Sequence, residues 1–183
     1  MKKSVLFLLV ALFALVAFAA EEVTVEEPVL ITSGGQSPGA LQMMVLAKGA
    51  KIDYVFEKNV TADYETLGDF NTIIIVAGAS SKGLGAAGID IDTEIERLTA
   101  LVAAAKEKGL KIVLAQIEGA TRRGSSSDLV IDVLIDSCDL MLIKEDADND
   151  GKFTALSEEH NIKMLTFSKT SDARGLLTEL FGH

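Results

Sequence analysis

The sequence predicts an α/β domain, a three-layer, doubly wound and mostly parallel sheet of about six strands, flavodoxin- or Rossmann-like in type. Three observations carry this. Short apolar runs rich in β-branched residues alternate with longer segments of helical period. Two of those runs, 72–77 (TIIIVA) and 111–117 (KIVLAQI), are apolar nearly throughout, as strands covered on both faces must be. No linker, low-complexity tract or break in composition divides the series.

Taken in order, strands are expected at 29–33, 52–56, 72–77, 111–117, 139–144 and 163–167. Helices are expected at 40–48, 91–108, 127–137, 154–160 and 171–181. The clearest is 91–108, where Ile95, Leu98, Leu101, Val102 and Ala105 share a face, Asp92 is the expected N-cap and Gly109 ends the helix. The stretch 59–70 reads either as a short helix or as a loop. A flavodoxin-like strand order, 2-1-3-4-5, is the first expectation for such a series.

The first residues read differently. Lys2 and Lys3 precede an apolar run of fourteen residues from Val5 to Phe18, and Ala17 and Ala19 supply a small-x-small exit before Glu21 and Glu22. That is the build of a secretory signal peptide, and it falls short of the roughly 20 residues that span a bilayer. The expected organisation is a signal at 1–19, an extension at 20–27 and one α/β domain at 28–183, exported to a periplasm or the exterior. Cleavage leaves 164 residues, a chain that buries about 70% of its unfolded surface without staples. The one cysteine, Cys138, lies in an apolar stretch and is expected to be a buried thiol.

Net charge is −10, and loss of Lys2 and Lys3 takes the mature part to −12. Such a balance argues against nucleic acid or an anionic membrane as partner. Against that background, cations gathered in one place carry information. Ligands of open α/β sheets bind beyond the carboxyl ends of the strands. Three loops reach that edge. The first is Ser33-Gly34-Gly35-Gln36-Ser37, leading into a helix; the second carries Ser80, Ser81 and Lys82; the third carries Arg122 and Arg123. Glycines allow close backbone approach, hydroxyls donate hydrogen bonds and a helix start adds partial positive charge. The expected partner is a small anionic ligand held by these ten residues. The second and third loops share a six-residue echo, Gly-Ala-hydroxyl-x-cation-Gly, at 78–83 and 119–124.

Other chemistries fit less well. Gly83, Gly85 and Gly88 match the dinucleotide fingerprint formally, yet Gly83 lies six residues past the strand, and Glu118 follows Gly88 by 30 residues instead of about 20. The only Tyr-x-x-x-Lys pair, Tyr54 and Lys58, precedes the glycine turn that a short-chain dehydrogenase would place before it. No aromatic residue occurs at 71–90 or 118–130 to stack on a flavin ring. No cofactor is expected. Two histidines, His160 and His183, lie off the strand-end loops, and no Gly-x-Ser-x-Gly elbow occurs, so a Ser-His-Asp hydrolase has no frame. If the chain is an enzyme, Glu118 is the expected acid or base; its structural alternative is an ion pair with Arg122 or Arg123. The run Asp146, Asp148, Asp150, Gly151 matches the front of a calcium loop, but the twelfth position is Ser157 where the loop needs a bidentate glutamate, so no metal site is expected.

The segments 28–40 (PVLITSGGQSPGA), 78–90 (GASSKGLGAAGID), 117–128 (IEGATRRGSSSD) and 150–162 resemble an uncharacterised family of exported bacterial proteins, a domain-of-unknown-function family. The resemblance covers about 28–181 and implies a signal peptide plus a Rossmann-like domain, with no activity and no catalytic residues attached. Three functions stay open at this point: a non-enzymatic exported domain binding a small anion, a hydrolase or transferase acting on a phosphorylated or carboxylated substrate, and a structural or interaction domain of the envelope. Ligand identity and oligomeric state are not legible.

Overall fold

The computed structural model describes residues 23–183. The expected signal and its cleavage position lie outside the described residues. The strands are β1 (Val29–Gly34), β2 (Tyr54–Phe56), β3 (Thr72–Ala77), β4 (Lys111–Gln116), β5 (Leu140–Lys144) and β6 (Lys163–Phe167). They form one sheet, ordered β2-β1-β3-β4-β5-β6, and every pairing is parallel. This is the doubly wound arrangement: β1 leads outward to β2 on one side, and the chain then crosses back to β3 on the other.

Among the described residues six α-helices cover the two faces: α1 (Gly39–Gly49), α2 (Ser81–Ala87), α3 (Ile91–Glu107), α4 (Ser125–Ile135), α5 (Lys152–His160) and α6 (Ala173–Leu180). Alternation along each strand divides the core in two. Leu30, Ile73, Ile75, Ile112, Leu114 and Met141 face one way, onto Leu98 and Leu101 of α3, Ile131 and Leu134 of α4, and Phe153 of α5. Val29, Ile31, Ile74, Val76 and Leu142 face the other way, onto Met43 and Ala47 of α1 and Leu177 of α6. All six residues of β3 are buried, which is why its sequence shows no alternation. Each fully buried isoleucine there is worth about 1.5–3 kcal/mol in transfer free energy.

Three local differences from expectation have physical causes. Ser81–Ala87, read as loop, is helix α2: the Ser80 hydroxyl accepts the Gly83 amide at its start, and Gly88 at φ 71° ends it. The N-cap of α3 is Asp90, not Asp92; its carboxylate accepts the Thr93 amide at 2.8 Å, and Asp92 lies in the first turn. The ambiguous 59–70 holds a single 3₁₀ turn, Leu67–Asp69, with Val60, Leu67 and Phe70 buried under the sheet. The chain just before β1 is tied to β3, since the Glu26 amide donates to Thr72 Oγ1 and that hydroxyl donates back to the Glu26 carbonyl. Cys138 is buried and its thiol donates to the Leu140 carbonyl.

Candidate functional site

Where β1 and β3 lie side by side, their following connections leave in opposite directions and open a crevice at the carboxyl edge of the sheet. Backbone contacts hold its two sides together. The Gly78 amide donates to Gly34 O at 2.7 Å, the Ser80 amide donates to Gly35 O at 2.8 Å, and Gln36 bridges to Ala79. Gly35 sits at φ 100°, and a Cβ there would lie 2.6 Å from the Gly78 carbonyl oxygen. Only glycine allows the first loop to pass so close to the second.

Beneath the first loop is a buried ion pair. Glu94 of α3 is fully buried and accepts the Gly35 amide at 2.7 Å and the Gln36 side-chain amide at 3.3 Å. Arg97, one turn on, meets that carboxylate at 2.7 Å and donates to the carbonyls of Ser33, at 2.6 Å, and Val60. A charge with this many partners is satisfied in place. The pair fixes the backbone of 33–36 and turns the Gln36 amide inward, away from solvent.

The crevice itself has a volume of about 580 Å³. Gln36, Ser37, Pro38, Ala40 and Leu41 line it from the first loop and α1, Ser80, Lys82, Gly83 and Ala86 from α2, and Arg122 from the turn after β4. Phe56 and Lys58, at and just beyond the end of β2, close the remaining side. Three side chains of the lining are cations and none is a carboxylate. Ser37 Oγ accepts the Gly39 amide at 3.3 Å and Ser80 Oγ accepts the Gly83 amide at 3.1 Å. Each hydroxyl therefore keeps its own proton to donate. Helix geometry also leaves the amides of Ala40 and Leu41, in the first turn of α1, without intrahelical acceptors.

Arg122 is the best anchored of the cations. Its Nε meets Glu118 Oε1 at 3.2 Å and its Nη1 reaches the Ala79 carbonyl at 3.4 Å. The Glu118 side chain is only 8% exposed, and its second oxygen is buried without a partner among the described residues. That oxygen lies 2.7 Å from where a Cβ on Gly39 would stand and 3.2 Å from one on Gly78. Glu118 is thus packed behind Arg122, against the start of α1, outside the lining of the crevice.

The ten ligand-binding residues expected from sequence separate into three groups. Gln36, Ser37, Ser80, Lys82 and Arg122 come together in the crevice. Ser33, Gly34, Gly35 and Ser81 shape its walls without lining it; the Ser33 hydroxyl is buried and has no partner among the described residues. Arg123 points elsewhere. It meets Asp128 at 3.1 Å and Asp150 at 2.9 Å, donates to the Ala147 carbonyl, and stacks over Phe153 at 5.2 Å. The sequence echo pairs Lys82 with Arg123, yet 80–83 begins a helix while Gly119–Arg122 forms a 3₁₀ turn, which delivers Arg122 instead.

The Asp-rich turn is occupied by protein groups. Asp146 binds Lys144 at 2.7 Å, Asp150 binds Arg123, and Asp148 accepts the Phe153 and Thr154 amides at the start of α5. Hydrogen bonding to Arg123 holds the Asp150 carboxyl well below its usual range, at about 2. Among the described residues no group of three or more His, Cys, Asp or Glu side chains is placed to hold a metal. The two histidines pair with carboxylates away from the crevice, His160 with Asp136 at 3.7 Å and His183 with Glu27 at 2.6 Å.

Four residues that matter here were not expected: Glu94, Arg97, Phe56 and Lys58. Glu94 did leave a signal, since it lies four residues before Leu98 and seven before Leu101, on the apolar stripe of α3. Phe56 and Lys58 left theirs in the expected strand order, which already sets the carboxyl end of β2 beside that of β1.

A sequence family described as a domain of unknown function matches residues 26–181. No curated protein matches the chain. Among solved structures, similarity extends to the psychrotrophic esterase EstA from Pseudoalteromonas sp., at 12% identity and a TM-score of 0.33, covering 84% of this chain and 94% of that one. A GDSL-like lipase from Bacteroides thetaiotaomicron is 11% identical with a TM-score of 0.34, covering 75% of this chain and 66% of that chain. The structure of TesA is 11% identical with a TM-score of 0.32, covering 84% and 95%.

Proposed function

Since this chain belongs to the DUF6305 family of domains of unknown function, we propose from its own crevice that it is an exported, non-enzymatic domain that binds a small anion. One observation carries the reading. In a chain of net charge −10, the crevice at the switch point is lined by Lys58, Lys82 and Arg122 and by no carboxylate. Among the described residues neither lysine is paired with a carboxylate, and both heads are free to meet a ligand. Arg122, held from behind by Glu118, offers its outer edge as a fixed donor, and the Ser37 and Ser80 hydroxyls line the same crevice.

The catalytic alternative finds less support. A general acid or base has to come within hydrogen-bond reach of its substrate. The free oxygen of Glu118 is sealed from the crevice, and neither histidine lines it. Export rests on the Lys2–Ala19 leader alone. Intact mass of the protein recovered from the envelope fraction tests it, and a species still carrying residues 1–19 would contradict it.

Binding is tested by thermal shift of the mature protein in phosphate, sulfate and acetate, each against chloride at matched ionic strength. A ligand at a hundredfold excess over its Kd stabilises the fold by about 2.7 kcal/mol. The paired substitution Lys58→Gln with Lys82→Gln should remove the shift without unfolding the protein. Arg122→Ala is a poorer probe, because it strands the buried Glu118 carboxylate. Turnover of a phosphorylated or ester substrate that is lost in Glu118→Gln would favour the enzyme instead. No anion-specific shift and no turnover would leave the interaction-domain reading.

A further inference from the structure

We propose that the ligand of this crevice is an amphipathic carboxylate, its head on Arg122 and Lys82 and its apolar body along Leu41 and Phe56; this rests on the anion-binding reading and specifies it. The first observation is size. A cavity of about 580 Å³ lies in the range of about 300–1,000 Å³ that takes a drug-sized ligand. A bare phosphate or acetate occupies only a few water volumes of about 30 Å³ each and leaves most of it unfilled.

The second is the distribution of chemistry. Arg122, Lys82, Ser37 and Ser80 bring polar groups to the lining, while Leu41, Phe56 and Ala86 supply apolar surface. Leu41 is 54% exposed, and Val45, one turn further along α1, is 59% exposed. Single exposed apolar side chains are ordinary. Here Leu41 lines the cavity, and Val45 follows it four residues on along the same face of α1. The third is charge. Glu118 offsets part of the Arg122 charge, and Lys58 and Lys82 add two cations to the lining with no further carboxylate, so the site suits an anionic head group.

The test is a series on the mature protein, sodium acetate, butanoate, hexanoate and octanoate with octanol as the neutral counterpart, read by thermal-shift isotherms at matched ionic strength. Affinity should rise with chain length, by up to about fourfold for each methylene that becomes fully buried. Leu41→Gln, a change on an exposed helix face, should flatten that rise. Lys82→Gln should weaken every acid alike, and octanol should bind less tightly than octanoate. Acetate and octanoate binding equally well, both weakened by Lys82→Gln, would overturn the amphipathic ligand and leave the anion reading standing. Octanol binding as tightly as octanoate, unmoved by Lys82→Gln, would overturn the anion reading and this inference with it. Silence across the whole series would also overturn both.

Discussion

Two glycines of α2, two residues apart, should respond to alanine in opposite directions. In a helix interior alanine is favoured over glycine by about 0.8–1.0 kcal/mol, from backbone entropy. Gly85 has nothing within 4 Å of the place a Cβ would take, so Gly85→Ala should realise most of that gain. Gly83 faces the first loop, and its Cβ would stand 2.0 Å from the Gln36 carbonyl oxygen and 2.9 Å from its carbon. Ordinary contact begins near 3.4 Å, and the obstacle is backbone held by the bridge to Ala79 and by Glu94. Helix α2 has to retreat by more than an ångström, and overpacking of that kind costs about 1–3 kcal/mol. The clash outweighs the propensity. Gly83→Ala should therefore destabilise the fold by up to about 2 kcal/mol and, by carrying Lys82 and Ala86 outward, weaken ligand binding. Urea midpoints of the two variants against wild type measure the first effect, and a carboxylate titration the second. Equal stabilisation by both alanines would refute the close packing of α2 on the first loop, and with it the shape of the crevice.

Three further outcomes follow from the partners seen around the site. Asp148→Ala should cost about 1 kcal/mol through loss of the carboxylate that accepts the first amides of α5, while calcium and a chelator should leave the wild-type melting temperature unchanged. Because Asp150 titrates at about 2 when folded, its contribution is full above the ordinary carboxylate range near 3.8 and is lost as pH falls toward 2. The difference in urea midpoint between wild type and Asp150→Asn, about 1 kcal/mol or less for a pair open to solvent, should vanish across that window, and a difference that grows on acidification would contradict the assignment. Burial pushes the Cys138 thiol up to about 12, so a thiol reagent at pH 8 should label the unfolded chain and leave the native one unmodified.

The sheet was legible because burial on both faces leaves its mark on composition: 72–77 and 111–117 could be little else than central strands. The crevice was legible in part, through the loops that follow β1, β3 and β4. What escaped depends on tertiary context. Helix α2 carries Gly83 and Gly85 and buries only Leu84, so local propensity points to a loop, and capping by Ser80 with packing on Gln36 overrides it. Arg122 and Arg123 are chemically alike, and only the 3₁₀ turn at Gly119–Arg122, with Asp128 and Asp150 waiting on the far side, sends one to the crevice and the other to Phe153. Phe56 ends a three-residue edge strand and Lys58 follows it, and nothing local to that short segment marks either as lining the crevice.

The claim that an anion binds at this switch point is tested most directly by chemical-shift mapping. The mature protein, labelled with nitrogen-15, is titrated with sodium phosphate and with sodium octanoate, each referenced to chloride at the same ionic strength. The account predicts saturable shifts at the amides of Ser37, Ala40, Leu41, Ser80 and Gly83 and at the Arg122 side chain, with Arg123 and the Asp148 cap of α5 unmoved. Shifts gathered around Arg123 and Asp150, or none beyond those produced by chloride, would contradict it.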